Sequence, residues 1–442
     1  MSPGTQGSIV LIVTILVLLT GAPVAFALGI IGIAFLVLFQ GVNALGVAAE
    51  TLYSGLHDFT LVSIPMFIMM GAAIGSSPAG RDLYVALDRW LYRVPGGLVI
   101  SNLGACALFA ALTGSSPATC AAIGKMGIPE MRKRGYPDEV ATGSICAGGT
   151  LGILIPPSIT FILYGIATET SIGRLFLAGV LPGLMLTSLF IAWTVGYLWF
   201  KGFRAYAPDF RYSWWEKLQS LPKVIPFLAI VAGVMVVLYG GIATPSEAAG
   251  VGAALCVLLA VGIYRIWSPV RWWAILRDTT RESVMILMII GTAVLFSYML
   301  SSLFITQTLA QAIADMNVNR WVLMLLINVF LVVCGCFIPP AGIILMTSPI
   351  LLPIILNAGF DPVWFGVIVT INMEVGLITP PVGLNLFVVN AIAPEVPTRT
   401  VLLGALPYVM TILLSIVILC IFPEIATWLP DTVMGPLAGP AR

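Results

Sequence analysis

The chain has 442 residues, of which 60% are apolar and 9% charged, with a formal net charge of +1. Soluble domains carry about 25% charged residues, so a soluble fold with an oversized core is excluded, and a mean hydropathy of +1.07 identifies an all-α polytopic membrane protein. A net charge summed over so uneven a distribution selects no partner, and no nucleic-acid partner is expected.

From the N-terminus, residues 9–39 carry no charge and divide at GAPVAFALG (21–29) into crossings near 7–20 and 24–40. No basic segment precedes them and the first runs on into the second, so no cleavable signal is expected. The stretch ETLYSGLHDF (50–59) holds His57, the only histidine, in an amphipathic context suited to a membrane surface. A crossing near 60–76 follows, and then an apolar hairpin near 97–131 whose middle, LTGSSPAT (112–119), is small and turn-forming. The next crossing, near 138–168, must break at GTLGILIPPS (149–158), because proline removes a backbone donor and clashes with the preceding turn. A crossing near 174–197 leads into the basic segment 199–222. Beyond it, crossings near 223–241, 245–264 and 283–300 precede a second hairpin near 320–357, with its tip at CFIPPAGI (336–343). A second broken crossing near 364–390 contains EVGLITPPVG (374–383), and a last one lies near 400–422. Glu247, in ATPSEAAGVG, reads as the cap of the helix that begins there.

Irregular backbone at mid-membrane is tolerated only where protein buries it or a water-filled cavity meets it. Half-helix C-termini expose carbonyl oxygens that suit a small hard cation, and half-helix N-termini expose amides that suit a carboxylate. The carbonyls near residues 149–155 and 373–379 are therefore candidate ligands. Ser115, Ser116 and Thr119 offer hydroxyls at the first tip, although small residues also pack helices together. The second tip offers only backbone before Thr347. Glu374 is an acid at a depth where acids are costly and functional. It can coordinate a cation, carry a proton or hydrogen-bond freed amides. Asn372, Thr379 and Asn385 line the same break and either bind substrate or hold the loop. The seven cysteines lie mostly in apolar segments; the one close pair, Cys334 and Cys336, has no histidine near it and reads as small apolar filler. One histidine, no HExxH and no paired intramembrane acids argue against an enzyme. The absence of a GxxxxGK[ST] loop argues against ATP as the energy source.

An offset of about 220 residues brings two halves into register. IPEMRKRGYPDE (128–139) lies over LPIILNAGFDPV (352–363), and FLAGVLPGLM (176–185) over VLLGALPYVM (401–410). Charge then orients each copy. Arg132, Lys133 and Arg134 have no counterpart in the NAGFDP loop. Placing them in the cytoplasm with Arg81, Arg89, Arg93, Arg399, the linker cations (Lys201, Arg204, Arg211, Lys217, Lys223) and a basic loop carrying Arg265, Arg271, Arg277 and Arg281 accounts for 16 of the 20 cations. Arg174, Arg320 and Arg442 then face the other side, and Lys125 stays in the hairpin, where it snorkels. Matching loops lie on opposite faces only if each copy crosses an odd number of times. The expected fold is two inverted-topology repeats, each of about five crossings plus one re-entrant hairpin. Residues 1–198 form repeat 1, 199–222 a cytoplasmic linker, 223–423 repeat 2 and 424–442 a periplasmic tail, with both termini periplasmic.

GSSPATCAAIGKMGIPEMRKRGY (114–136), AGGTLGILIPPS (147–158) and MEVGLITPPVGLNLFVVN (373–390), with GAPVAFALG and ATPSEAAGVGA, resemble the large membrane subunit, DctM type, of tripartite ATP-independent periplasmic (TRAP) transporters. The resemblance covers nearly the whole chain. It implies an elevator-type secondary transporter in a bacterial or archaeal inner membrane. Such a system takes up a small organic acid (a C4-dicarboxylate, sugar acid or 2-oxo acid) with sodium as the coupling ion. It also implies a periplasmic binding protein, a small four-helix membrane subunit expected as a separate chain, and surrounding lipid as partners. Carried over to these positions, one sodium site would use Ser115, Ser116 and the backbone around Gly149, Thr150 and Pro156. A second would use the backbone around Ile338, Pro340, Gly376 and Thr379. The substrate would lie near Ser116, Thr150, Glu374, Thr379 and Asn385. The competing expectation is an ion-coupled anion transporter of the wider elevator superfamily that needs no binding protein.

Overall fold

A computed structural model describes residues 2–92, 94, 96–202, 212–315 and 318–436, and the described residues fold into α-helices and short 3-10 turns without strands. The first half supplies α1 (Pro3–Leu19), α2 (Val24–Gln40), α3 (Ala44–Leu56), α4 (Ser63–Gly75), α5 (Ala79–Leu91), α6 (Gly97–Thr113), α7 (Ser116–Lys133), α8 (Asp138–Leu154), α9 (Ile159–Thr168) and α10 (Ile172–Phe200). A short α11 (Trp214–Ser220) precedes α12 (Ile225–Tyr239), α13 (Pro245–Gly262), α14 (Pro269–Ser302), α15 (Ile305–Asp315), α16 (Arg320–Gly335), α17 (Pro340–Asn357), α18 (Pro362–Leu377), α19 (Leu384–Ile392), α20 (Thr398–Ile421) and α21 (Glu424–Met434). Each expected crossing falls on one helix or on a broken pair of helices. The pair α8 and α9 bends by 41° at the first Pro-Pro break. Both Pro-Pro bonds, Pro156–Pro157 and Pro380–Pro381, are cis.

Burial sorts these helices. From Val140 to Leu154 and from Val363 to Leu377, every residue of α8 and α18 is buried. These two helices form the centre. The hairpin α6–α7 packs on α8, and the hairpin α16–α17 on α18, while α20 and α10 close over them. Glycine sets the closest approaches: a Cβ on Gly143 would lie 2.1 Å from the Gly404 carbonyl oxygen, so α8 and α20 touch backbone to backbone. Outside this core, helices of the two halves pack across one another, α4 on α13 and α2 on α14. Gly29 and Gly32 of α2 let Thr292 and Leu295 of α14 come close.

Two expectations need correction. The basic segment carrying Arg271, Arg277 and Arg281 is not a loop; it is the first part of the 34-residue α14. Ile275, Thr279, Ser283, Ile286 and Ile290 recur at helical spacing and are buried, and Arg277 and Arg281 occupy the opposite, exposed face, with Arg271 exposed near the start of the helix. Residues 424–434, expected as tail, form α21, which docks on α10 through Arg174 and Asp431 at 3.2 Å. As expected, Thr244 and Glu247 form a capping box that starts α13. His57 caps α3 and stacks on Tyr53. Arg93, Arg204, Arg211 and Arg442 lie outside the described residues.

The amphipathic α5 joins α4 to the first hairpin and gathers the charges of that end. Arg134 makes a two-pronged contact with the buried Asp88, at 2.8 and 3.0 Å, and also reaches Glu130. Partial burial works against that guanidinium, yet the Asp88 carboxylate holds it above its ordinary range. Lys217 of α11 is buried among the rings of Trp90, Tyr92 and Trp214, 4.9–5.8 Å from their centres. Lys223 pairs with Asp82 at 3.1 Å, so the linker is seated on α5.

Candidate functional site

The first hairpin tip lies against the first broken helix. Gly114, at φ +56°, turns the chain between α6 and α7, and a Cβ there would sit 3.0 Å from the Pro157 carbonyl oxygen. A Cβ on Gly152 would lie 2.6 Å from the Ser115 carbonyl oxygen, so α8 meets the tip backbone to backbone. Around that oxygen is a group of neutral donors. The Thr119 hydroxyl donates to it at 2.9 Å, and the Thr113 and Thr119 hydroxyls are 2.8 Å apart. Helix α4 touches the same point, since a Cβ on Gly71 would lie 2.7 Å from the Thr113 carbonyl. The Ser115 hydroxyl makes no capping bond, although Ser115 stands at the N-cap of α7.

Ser116 is turned elsewhere. Its fully buried hydroxyl meets Asn385 of α19, whose amide donates to Ser116 Oγ at 2.9 Å and to the Cys146 carbonyl at 3.0 Å. Gly149 makes room for this junction: its Cβ would lie 2.7 Å from Cys120 and 3.1 Å from Asn385. Thr150 is buried one position on and donates to Ala147 of its own helix at 2.7 Å. Ser116, Gly149 and Asn385 are therefore together, and they join the first hairpin to the second broken helix.

The second tip rests on the second break in the same manner, but less deeply. A Cβ on Gly376 would lie 2.2 Å from the Gly335 carbonyl oxygen, and Val382 donates to the Cys336 carbonyl at 3.2 Å. Ile338 and Pro340 are half-buried, and Phe337, Pro339, Pro380 and Pro381 are exposed, whereas Pro156 and Pro157 are buried. Some carbonyls that the breaks would free are taken by their own chain. Ser158 donates to the Ile153 carbonyl at 2.5 Å and Thr379 to that of Val375 at 2.6 Å.

On α18, Asn372 donates to Asn328 of α16 at 2.7 Å, and Gly376, one turn on, meets the same helix. Glu374 lies about 200° around the helix from Asn372 and so points away from the second hairpin. Both its carboxyl oxygens are buried and have no hydrogen-bond partner among the described residues. It does not join the tip.

A cavity of about 440 Å³ opens beside the first tip. Thr113 and Ser115 stand at its head, α7 forms one wall as far as Lys125, and Arg81 and Glu282 reach it from α5 and α14. Sequence reasoning missed Arg81, because charge on an amphipathic helix outside the crossings gives no signal of depth. It also missed Asn328 and Thr113. Asn328 did carry a signal, as the one polar side chain in α16 after its first residue, Arg320. The neutral hydroxyls and carbonyls of the first tip match the donor set of a small hard cation. No group of three or more His, Cys, Asp or Glu side chains suited to a metal occurs among the described residues.

The profile of the tripartite ATP-independent periplasmic transporter DctM component matches residues 11–425. The C4-dicarboxylate TRAP transporter large permease protein DctM of Pseudomonas aeruginosa is 37% identical over 92% of this chain and 94% of its own length. The isethionate TRAP transporter permease protein DctMQ of Oleidesulfovibrio alaskensis is 33% identical over 86% of this chain and 59% of its own length. The sialic acid TRAP transporter large permease SiaM of Vibrio cholerae is 30% identical over 95% of this chain and 97% of its own length. In fold, the chain is like the Alcanivorax borkumensis YdaH transporter, with a TM-score of 0.62 at 17% identity over 90% of this chain and 91% of that one. Two hairpin tips seated on two broken helices, within a profile match of nearly the whole length, place this chain in the DctM family, the large permease subunit of tripartite ATP-independent periplasmic transporters.

Proposed function

We propose that this chain carries a small organic acid inward across a bacterial or archaeal inner membrane, coupled to sodium. The acid is handed over by a periplasmic binding protein, and a small four-helix subunit braces the permease. The observation that carries this reading is the pair of tip-and-break contacts at the centre of the molecule. In the first, the Thr113 and Thr119 hydroxyls and the Ser115 carbonyl converge where α8 stops. A sodium ion takes such neutral oxygens, and its binding favours a closed tip over an open one. The substrate then rides with the two hairpins and their broken helices, in elevator fashion, against α4, α13, α2 and α14. Relatives named for C4-dicarboxylates, isethionate and sialic acid supply the class of acid.

The inverted repeat belongs to the same proposal. Its support is the recurrent order of hairpin, broken helix and long helix, together with the exchanged packing of α4 on α13 and α2 on α14. The test is uptake of labelled succinate, sialic acid and isethionate into proteoliposomes. These hold the permease with its co-encoded membrane subunit and binding protein, under an imposed sodium gradient. Uptake of one of these acids that collapses without the sodium gradient is expected. Uptake at the same rate under a proton gradient alone would overturn sodium coupling. Uptake without the binding protein would favour a two-component system.

A further inference from the structure

The cavity beside the first tip carries charge that the rest of the molecule does not use. Along α7 its wall runs from Ser115 to Lys125, about 15 Å at 1.5 Å per residue, away from the tip and toward the basic end at Arg132–Arg134. Small residues, Gly75 of α4 and Ala118 and Ala122 of α7, keep this run open. Two cations line it, Arg81 and Lys125, against one acid, Glu282. Neither cation has an ion-pair or hydrogen-bond partner among the described residues, and both are exposed to the cavity space. Other acids of this end are engaged: Asp82 by Lys223 and Tyr264, and Asp88 by Arg134. The pairing that neutralises α5 elsewhere thus leaves two cations and one acid, a net positive charge, on one open run that begins at the hairpin tip.

We propose that Arg81 and Lys125 form an anion station on this run, which receives the carboxylate or sulfonate of the substrate between the first tip and the basic face of the protein. They act as specificity residues: a ligand without an acid group gains nothing there. The identity of the anion rests on the organic-acid reading above; the electrostatic character of the cavity does not.

The first test therefore needs no transport. The full chain is kept in its native membrane, opened by freeze–thaw so that reagents reach both faces. Cys334, Cys336 and Cys420 are replaced, the four other cysteines being fully buried, and Ala122→Cys serves as reporter. Its reaction rates with sulfonatoethyl and trimethylammonioethyl methanethiosulfonate are compared. Neutralising both cations (Arg81→Gln with Lys125→Gln) is expected to lower the anionic-to-cationic rate ratio about fivefold or more, given two unit charges within several ångströms of the thiol. Glu282→Gln is expected to raise it. A ratio unchanged within about twofold, or a thiol that neither reagent reaches, would overturn the station; Ala118→Cys repeats the measurement should the first reporter misfold. In proteoliposomes, Lys125→Gln should raise the KM of whichever acid the wild type transports, with kcat less affected, and Lys125→Arg should restore it. An unchanged KM in Lys125→Gln would overturn the role in specificity. Failure of wild-type sodium-driven uptake would instead overturn the proposed function and leave the labelling result standing.

Discussion

The bond between Ser116 and Asn385 connects two elements 269 positions apart, and a double-mutant cycle isolates what it contributes. Ser116→Ala leaves the Asn385 amide its bond to the Cys146 carbonyl but removes its Ser116 partner in a fully buried site. One unsatisfied buried group costs about 1–3 kcal/mol. Asn385→Ala removes the Ser116 and Cys146 bonds together and empties the volume that Gly149 leaves open, so a loss of about 2–4 kcal/mol is expected. If the contact is made as described, the double variant should be less destabilised than the sum by about 1 kcal/mol. The assay is thermal unfolding of the purified protein in detergent, followed by tryptophan fluorescence. At this length each kcal/mol moves the midpoint by only on the order of 1–2 °C, so the four proteins are melted side by side. Additive midpoints would refute the reasoning: the hydroxyl would then pack against the amide without bonding to it. The same geometry separates the two serines, because the Ser116 hydroxyl is engaged and that of Ser115 makes no capping bond. Ser115→Ala keeps the Ser115 carbonyl and should leave the sodium dependence of uptake nearly unchanged, whereas Thr119→Val, which removes a hydroxyl of the proposed set, is expected to raise the sodium concentration for half-maximal uptake roughly tenfold. Ser116→Ala should change the melting point first.

Three further outcomes follow from contacts already described. Gly376→Ala should prevent the second tip from seating on the second break, since its Cβ would collide with the Gly335 oxygen, whereas Gly250→Ala, with open space around it, should be silent; membrane levels and melting of the two variants check this. Asp88→Ala removes the two-pronged contact and leaves the Arg134 guanidinium its Glu130 contact, so it should cost about 1.5–3 kcal/mol, read as lost thermal stability, while joint replacement of Asp88 and Arg134 by apolar residues should recover part of it. In a cysteine-free background, a cysteine at Asn357 should label with an impermeant maleimide in intact cells and one at Arg134 only after the membrane is opened, and labelling of both in intact cells would reject the inverted repeat.

The breaks and hairpins were legible because proline and small residues leave local signatures: GSSPA, IPPS and ITPPVG each mark a chain reversal or a helix end that needs no tertiary information. The amphipathic helices were less so. Apolar-run reasoning passes over α5, whose buried Leu83, Tyr84 and Ala86 alternate with charges, and it read the start of α14 as a loop because arginines dominate its outer face. Side-chain roles were the least legible. Ser115 and Ser116 are adjacent and chemically identical, yet one lines a cavity without bonding the helix it precedes and the other bonds an asparagine from the far half. That difference is a matter of rotation about α7 and of where α19 arrives, which no local pattern encodes. Glu374 was found as an unusual acid, but its direction, away from the hairpin, depends on which face of α18 meets α16.

The exchanged packing of α4 on α13 and α2 on α14 bears on how this protein is made. When the ribosome has delivered only the first half, the glycine-notched face of α2 and the face of α4 that meets α13 have no protein to cover them, and lipid must do so until α13 and α14 are inserted. The first half is thus a client waiting for its other part. A gene cut in the linker segment should yield two polypeptides that are each short-lived alone and that rescue each other when made in the same membrane.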